Sequence, residues 1–182
     1  MRPKTFKVQA IILKRINFSE ADRILTAYSK QYGKLSLIAK GVRKVKSRKA
    51  PSLELFNLVD IYSARGKNLD IITETQLLNS FNSFKKDLAK ISLAYEFCEL
   101  TDRFLQDNQK NTRVFEVLKQ SLERLNKENS NLKALEKEFK IELLKNTGFG
   151  LPQSLDIKDL NNHLENIMEK KLNSSSFLKS IS

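Results

Sequence analysis

The chain has 182 residues, 40% of them hydrophobic and 30% charged, with 11 Phe and 4 Tyr, which suits one large or two small folded domains and excludes disorder over most of its length. No apolar run approaches the roughly 18 residues needed to span a bilayer, and one cysteine with one histidine excludes an intramolecular disulfide and a soft-ligand metal site, so the expectation is a soluble cytoplasmic protein without a cofactor or a membrane partner. The net charge of +12 lies entirely in residues 1–50, where 14 Lys or Arg face only Glu20 and Asp22, while residues 51–182 carry 19 bases and 19 acids.

The first 75 or so residues read as short strands. Phe6 to Arg15 is β-branched and aliphatic, Asn17 to Ala21 interrupts it, and Arg23 to Ser29 resumes with Ile24, Thr26 and Tyr28 alternating. After a turn at Gln31-Tyr32-Gly33, Lys34 to Lys40 sets Leu35, Leu37 and Ala39 on one face and Lys34, Ser36 and Lys40 on the other, the pattern of a half-buried strand. Lys40-Gly41-Val42-Arg43-Lys44-Val45-Lys46-Ser47-Arg48-Lys49 follows, six bases in ten residues without an acid. A neutral body joined to such a segment concentrates positive potential on one surface, and the natural partner is a polyanion. Nucleic acid suits it better than a membrane surface, because Val42 and Val45 are its only large apolar side chains. Two more strands, Phe56 to Ser63 and Leu69 to Thr75, flank the turn Arg65-Gly66-Lys67-Asn68. Five short antiparallel strands suggest a small closed barrel, and five is the strand number of the OB-fold.

From about residue 80 the period changes from two to 3.6. Leu88, Ile91, Tyr95 and Cys98, with Leu93, Phe97, Leu100 and Phe104 beside them, form the broad stripe of a mostly buried helix. Further helices are expected at Val114 to Leu125 after the capping signal Asn111-Thr112, at Leu132 to Asn146 before Gly148 and Gly150, and beyond Pro152 with Ser154 as N-cap. The polar Asn173 to Ser176 precedes an apolar Phe177-Leu178 that docks or frays. The fold class is α+β: a five-stranded OB-fold barrel at residues 1–78 for nucleic-acid binding, then a short helical domain at 79–182.

Catalytic motifs are missing. Gly33-Lys34 lacks the glycine five residues earlier that a phosphate-binding loop requires, since position 28 is Tyr, and there is no Gly-x-Gly-x-x-Gly. His163 lies among Asn161, Asn162 and Glu165 with no nucleophile signature nearby. Glu20 and Asp22 could ligate Mg²⁺, as in a small phosphodiesterase, but beside so many cations they read more simply as ion-pair partners that fix the turn between the first two strands. Cys98 falls in the apolar stripe, where a thiol behaves as a small hydrophobe. The chain is therefore expected not to be an enzyme. Two readings stay open: a DNA-binding protein without turnover, or a basic scaffold that docks an acidic protein tail. Base-stacking aromatics would favour the first, and only Tyr28, Tyr32 and Tyr62 are plausible on strands near the basic run, so backbone-dominated binding is expected.

The order Ile11-Ile12-Leu13-Lys14, Phe18-Ser19-Glu20-Ala21-Asp22-Arg23-Ile24-Leu25-Thr26, Gly33-Lys34-Leu35 and Ala39-Lys40-Gly41-Val42-Arg43-Lys44-Val45-Lys46-Ser47-Arg48 resembles the bacterial DNA repair and recombination mediator family RecO. The resemblance runs through Leu53 to Phe56, Gly66 to Leu69, Asp87-Leu88, Glu99 to Arg103 and Leu143 to Phe149, covering roughly residues 5 to 150. It implies an OB-fold followed by helices, binding of single- and double-stranded DNA, annealing of complementary strands, and a nucleoid-associated location. It also implies contact with the acidic tail of single-stranded DNA-binding protein, cooperation with RecR and, indirectly, the loading of RecA. The residues expected to meet DNA are Lys34, Lys40, Arg43, Lys44, Lys46, Arg48 and Lys49. Many members carry a four-cysteine zinc module after the Gly-Phe segment, whereas Leu151 to Asn173 contains no cysteine.

Overall fold

The computed structural model describes residues 3–127 and 131–168. It divides into two compact units, residues 1–80 with 106–112, and residues 81–105 with 113–182. The tail around Phe177-Leu178 lies outside the described residues.

The first unit is a closed barrel in the order β1-β2-β3-β5-β4, formed by β1 (Thr5–Phe18), β2 (Asp22–Ser29), β3 (Gly33–Ala39), β4 (Leu58–Ala64) and β5 (Asp70–Asn79). Alternation fills its interior: Val8, Ala10 and Ile12 of β1, Leu25 and Ala27 of β2, Leu35, Leu37 and Ala39 of β3, Val59 and Ile61 of β4 and Ile72 of β5 form one buried cluster. Val42 and Leu53, from the segment between β3 and β4, close one end of it. Four pairs are antiparallel, but β3 and β5 pair in parallel through Leu37 with Asp70 and Ile38 with Ile71. This corrects the all-antiparallel expectation, and the reason is parity. Directions that alternate around a ring of five strands must coincide at one junction.

Two strands outrun the lengths expected of them. β1 continues through Asn17 and Phe18, which pair with Arg23 and Asp22, so the turn shrinks to three residues and Ser19 takes φ +53° to close it. β5 continues to Asn79 because β4 offers it a partner down to Leu58. β4 starts later than expected, because Phe56 is at φ +72°, outside the extended region. Gly33, at φ +72°, meets the returning segment 106–112 so closely that a Cβ there would lie 2.0 Å from Gln109 O. The same segment accepts the Tyr28 hydroxyl at Asn111 O, 3.1 Å away, and donates the Asn108 amide to Lys34 O at 2.9 Å.

The second unit contains α1 (Leu88–Phe104), α2 (Thr112–Leu125), α3 (Leu132–Thr147) and α4 (Ile157–Met168), with the first residue of α2 counted in the barrel unit. Asp87 caps α1 by accepting the amides of Ala89 and Lys90, and Gly148 ends α3 in the left-handed region, its N–H bonded to Leu144 O. α4 is capped by Asp156, which accepts the Asp159 amide at 2.9 Å; Ser154, the expected cap, lies two residues too early and instead hydrogen-bonds Asp156. Phe97 and Phe139 stack at 4.1 Å between centroids in the core of this unit. Lys140 is fully buried there, with Nζ 2.5 Å from Glu96, 2.6 Å from Asn161 and bonded to Glu136.

Candidate nucleic-acid interface

The basic run leaves β3 as a series of turns rather than a strand or helix, and Val42 anchors it by burying its side chain in the barrel core. Its placement comes from the β1–β2 turn. The Gly41 amide donates to Asp22 Oδ1 at 2.7 Å, the Arg43 amide to Ala21 O at 2.9 Å, and the Arg43 guanidinium to Ser19 O at 3.3 Å. Gly41 sits at φ +63°, so the chain folds back at once toward that turn. Asp22 thus fixes the turn through a backbone N–H; the ion pair expected of it is absent among the described residues. Glu20 is exposed, and no group of three or more His, Cys, Asp or Glu side chains able to hold a metal ion occurs among the described residues.

The loop and the middle of β5 enclose a cleft of about 590 Å³ lined by Lys40, Gly41, Lys44, Lys46, Ser47, Arg48, Lys49, Thr73, Glu74 and Thr75. Five cations thus face a single carboxylate. Lys40, Lys44, Lys46 and Arg48 are exposed and pair with no carboxylate among the described residues. Lys49 is half-buried and donates to Ile72 O at 3.0 Å, which straps the end of the loop to β5. Thr75 Oγ1 is buried at the wall of this cleft with no hydrogen-bond partner among the described residues. Such an arrangement can hold phosphates by charge and by donors, without chemistry of its own.

The expected residues therefore do not form one group. Lys40, Lys44, Lys46, Arg48 and Lys49 share the cleft, and Arg43 lies outside its lining, against the β1–β2 turn. Lys34 is at the far end of β3, about 20 Å from Lys40 at the strand rise, with Nζ 3.6 Å from Asp107. The separation is that of six residues of extended strand, and at that end Lys34 also bridges to Asp107 through the backbone.

The tyrosines considered as stacking residues are otherwise engaged. Tyr28 is fully buried, with its phenol pushed up to about 12 by desolvation; Tyr32 packs edge-on against Phe6; the Tyr62 ring carries the Lys7 ammonium 5.2 Å from its centroid. The aromatic side chain that does reach solvent beside the loop is Phe18, 49% exposed. It was missed because Asn17 to Ala21 reads as a turn, whereas the hairpin extends through it. Arg15 and Arg23, both placed in strands by the sequence, were missed because each meets its partner Glu54 across a long separation, 39 and 31 residues. They converge on Glu54, so that this end of the barrel keeps one net positive charge from three ionic groups.

Comparisons with known proteins bear on these features. The model described as "Recombination protein O N terminal" matches residues 1–81, and that described as "Recombination protein O C terminal" matches residues 85–157. Among curated proteins, the DNA repair protein RecO of Dehalococcoides mccartyi is 34% identical over 148 residues, covering 81% of this chain and 58% of its own. Its counterpart in Clostridium kluyveri is 33% identical over 80% of this chain and 57% of its own, and that of a Roseiflexus species 36% over 69% and 44%. The chain spans about half the length of these relatives.

Proposed function

Since the chain belongs to the RecO family, matched over both its N- and C-terminal parts, we propose that it serves DNA repair as a non-catalytic recombination mediator that binds DNA through the basic cleft of its barrel. Residues 1–78 form the nucleic-acid-binding domain of this reading and residues 79–182 the helical one. The observation that carries it is the cleft itself, where Lys40, Lys44, Lys46, Arg48 and Lys49 stand against Glu74 alone. An exposed, open cation cluster neutralises phosphates without enclosing bases, so two strands held there can still pair. The protein accordingly anneals complementary strands. Like the mediators it resembles, it meets single-stranded DNA-binding protein through that protein's acidic tail and works with RecR to load RecA on coated single strands.

Annealing of two end-labelled complementary oligonucleotides, followed with and without protein across a salt series, tests the reading. Acceleration should be greatest at low salt and fade as the screening length falls to about 8 Å at physiological ionic strength. If about four cations engage a single strand, log K against log salt has a slope near −3, and replacing Arg43, Lys44, Lys46 and Arg48 together by Ala flattens it. Slower pairing with protein than without it would mean sequestration and overturn the annealing mechanism. Binding of an acidic peptide but of no oligonucleotide would favour the scaffold instead.

A further inference from the structure

The basic loop does not run as a line of charge; it is coiled over one recess. The Lys44 amide donates to Gly41 O at 3.2 Å and the Ser47 amide to Lys44 O at 2.9 Å, two successive turns that fold the segment back on itself. Both ends are tied, at Gly41 by the Asp22 carboxylate and at Lys49 by the carbonyl of Ile72, so the wall that faces β5 has a fixed place. The recess between them holds about 590 Å³, about 10 Å across if taken as a sphere, and Lys40, Lys44, Lys46, Arg48 and Lys49 line it with Glu74. Five cations less one carboxylate leave four positive charges around a space of that size. Ser47 lines it too, half-buried, and its hydroxyl makes no hydrogen bond among the described residues.

Cations gathered this closely repel one another, and an anion of matching charge density relieves that repulsion. A DNA strand is a dilute anion: each diester carries one charge, and at about 3.4 Å or more per nucleotide a strand crossing about 10 Å brings at most about three. A triphosphate chain concentrates about four, since its terminal phosphate carries nearly two negative charges at pH 7 and each inner phosphate adds one. For such a chain the recess offers the guanidinium fork of Arg48, which suits two phosphate oxygens at once, together with the lysine ammonium groups and the Ser47 hydroxyl. No lining residue is aromatic or large and apolar, so nothing in the recess reads a base. We infer that the recess is a binding site for a compact polyphosphate, a triphosphate chain either free or carried by a nucleotide, and that the bound chain displaces the phosphates of a DNA strand. The two anions draw on the same five cations, so their binding is mutually exclusive. The protein then holds DNA less tightly as the triphosphate rises, by a factor of one plus its concentration over its Kd.

The displacement rests on the DNA-binding reading above, whereas binding of the polyphosphate does not, and the test keeps them apart. Calorimetry of the full chain at about 0.15 M salt, without Mg²⁺ that would neutralise part of the ligand, uses inorganic tripolyphosphate, ATP, AMP and sulfate. Tripolyphosphate and ATP should each bind at a single site per chain with similar affinity, about tenfold or more tighter than AMP or sulfate. Lys44→Ala with Arg48→Ala should weaken both about tenfold, whereas Lys133→Ala with Lys137→Ala, an equal loss of exposed charge on α3, should leave them unchanged. Ser47→Ala changes no charge and should weaken tripolyphosphate about threefold while leaving a labelled oligonucleotide bound as before. In competition, tripolyphosphate at about ten times its Kd should weaken oligonucleotide binding about elevenfold. Binding that does not saturate at one per chain, equal weakening by the two double variants, or an unaffected Ser47→Ala chain means diffuse charge attraction and overturns the site. Saturable tripolyphosphate binding that leaves the oligonucleotide in place overturns the exclusion and the placing of DNA in this cleft. An oligonucleotide that binds where tripolyphosphate does not overturns the inference and leaves the DNA-binding reading intact, and failure of both to bind overturns the two together.

Discussion

Asp22 offers a test in which charge and geometry predict opposite signs. It is an acidic side chain beside a cationic interface, so on charge alone its removal should strengthen binding to phosphates. Its carboxylate also accepts the Gly41 amide at 2.7 Å, and with the 2.9 Å bond from the Arg43 amide to Ala21 O this sets the direction in which the basic loop leaves β3. A charge-assisted hydrogen bond contributes roughly 1.5–3 kcal/mol, and partial burial places this one near the lower end. Losing one exposed charge changes a neighbouring interaction by about 0.5 kcal/mol or less once screened. Placement should therefore win. Asp22→Ala is expected to weaken oligonucleotide binding by about fivefold, 1.5 less 0.5 kcal/mol at 1.4 kcal/mol per tenfold, with a flatter salt slope as fewer cations engage at once. Two companions make the sign readable. Asp22→Asn keeps an acceptor oxygen and loses the charge, so it should bind as tightly as the unaltered chain or slightly more tightly. Glu20→Ala removes an exposed carboxylate from the same turn and should also bind slightly more tightly. Fluorescence anisotropy at three salt concentrations measures all three. If Asp22→Ala binds as Glu20→Ala does, Asp22 acts only through its charge and the loop needs no anchor.

Three further outcomes concern the scaffold. Lys140→Met leaves Glu96 and Glu136 without their buried cation and should destabilise the helical unit by about 3–5 kcal/mol, with Glu96→Gln and Glu136→Gln together restoring much of it. Burial holds the Glu96 carboxyl above its ordinary value against the pull of Lys140, so the folded protein keeps that proton more readily than the unfolded one. Its stabilising contribution is then present at acidic pH and lost as pH rises through the raised value, and the Lys140→Met defect measured by thermal unfolding should be smaller at pH 5 than at pH 8. Gly33→Ala should cost well over the roughly 1–2 kcal/mol of a left-handed non-glycine residue, because its Cβ would meet Gln109 O at 2.0 Å; Gly150→Ala, at φ +71° with nothing within 4 Å, should cost only that conformational amount in a urea titration. Cys98 is buried, and burial pushes its thiol well above the ordinary range, so it should be inert to a thiol reagent in the native protein and react once the chain is unfolded, while fast native labelling would contradict the packing of α1.

Residue order alone determined the features that depend on near neighbours. The period of two before residue 75 and of 3.6 from about residue 80 marks a β unit and a helical one, because strand and helix each repeat their buried face over a few residues. The six cations between Lys40 and Lys49 are legible for the same reason, as charge density along a chain needs no partner to be seen. Tertiary structure decided whatever depends on register and closure. The parallel β3–β5 pair follows from closing an odd ring. The anchoring of Gly41 by Asp22 joins residues 19 apart, and the Lys34 ammonium meets Asp107 on a segment more than 70 residues further on. Ile16, Ile24, Ile38 and Ile71 are four ordinary strand residues until pairing registers set them in one outer row. Lys140 reads as a solvent-facing lysine until α1 and α4 bring Glu96 and Asn161 to its ammonium. Local pattern fixes which face of an element is buried, but which elements share a surface depends on loop-closing contacts whose energies no short stretch of sequence contains.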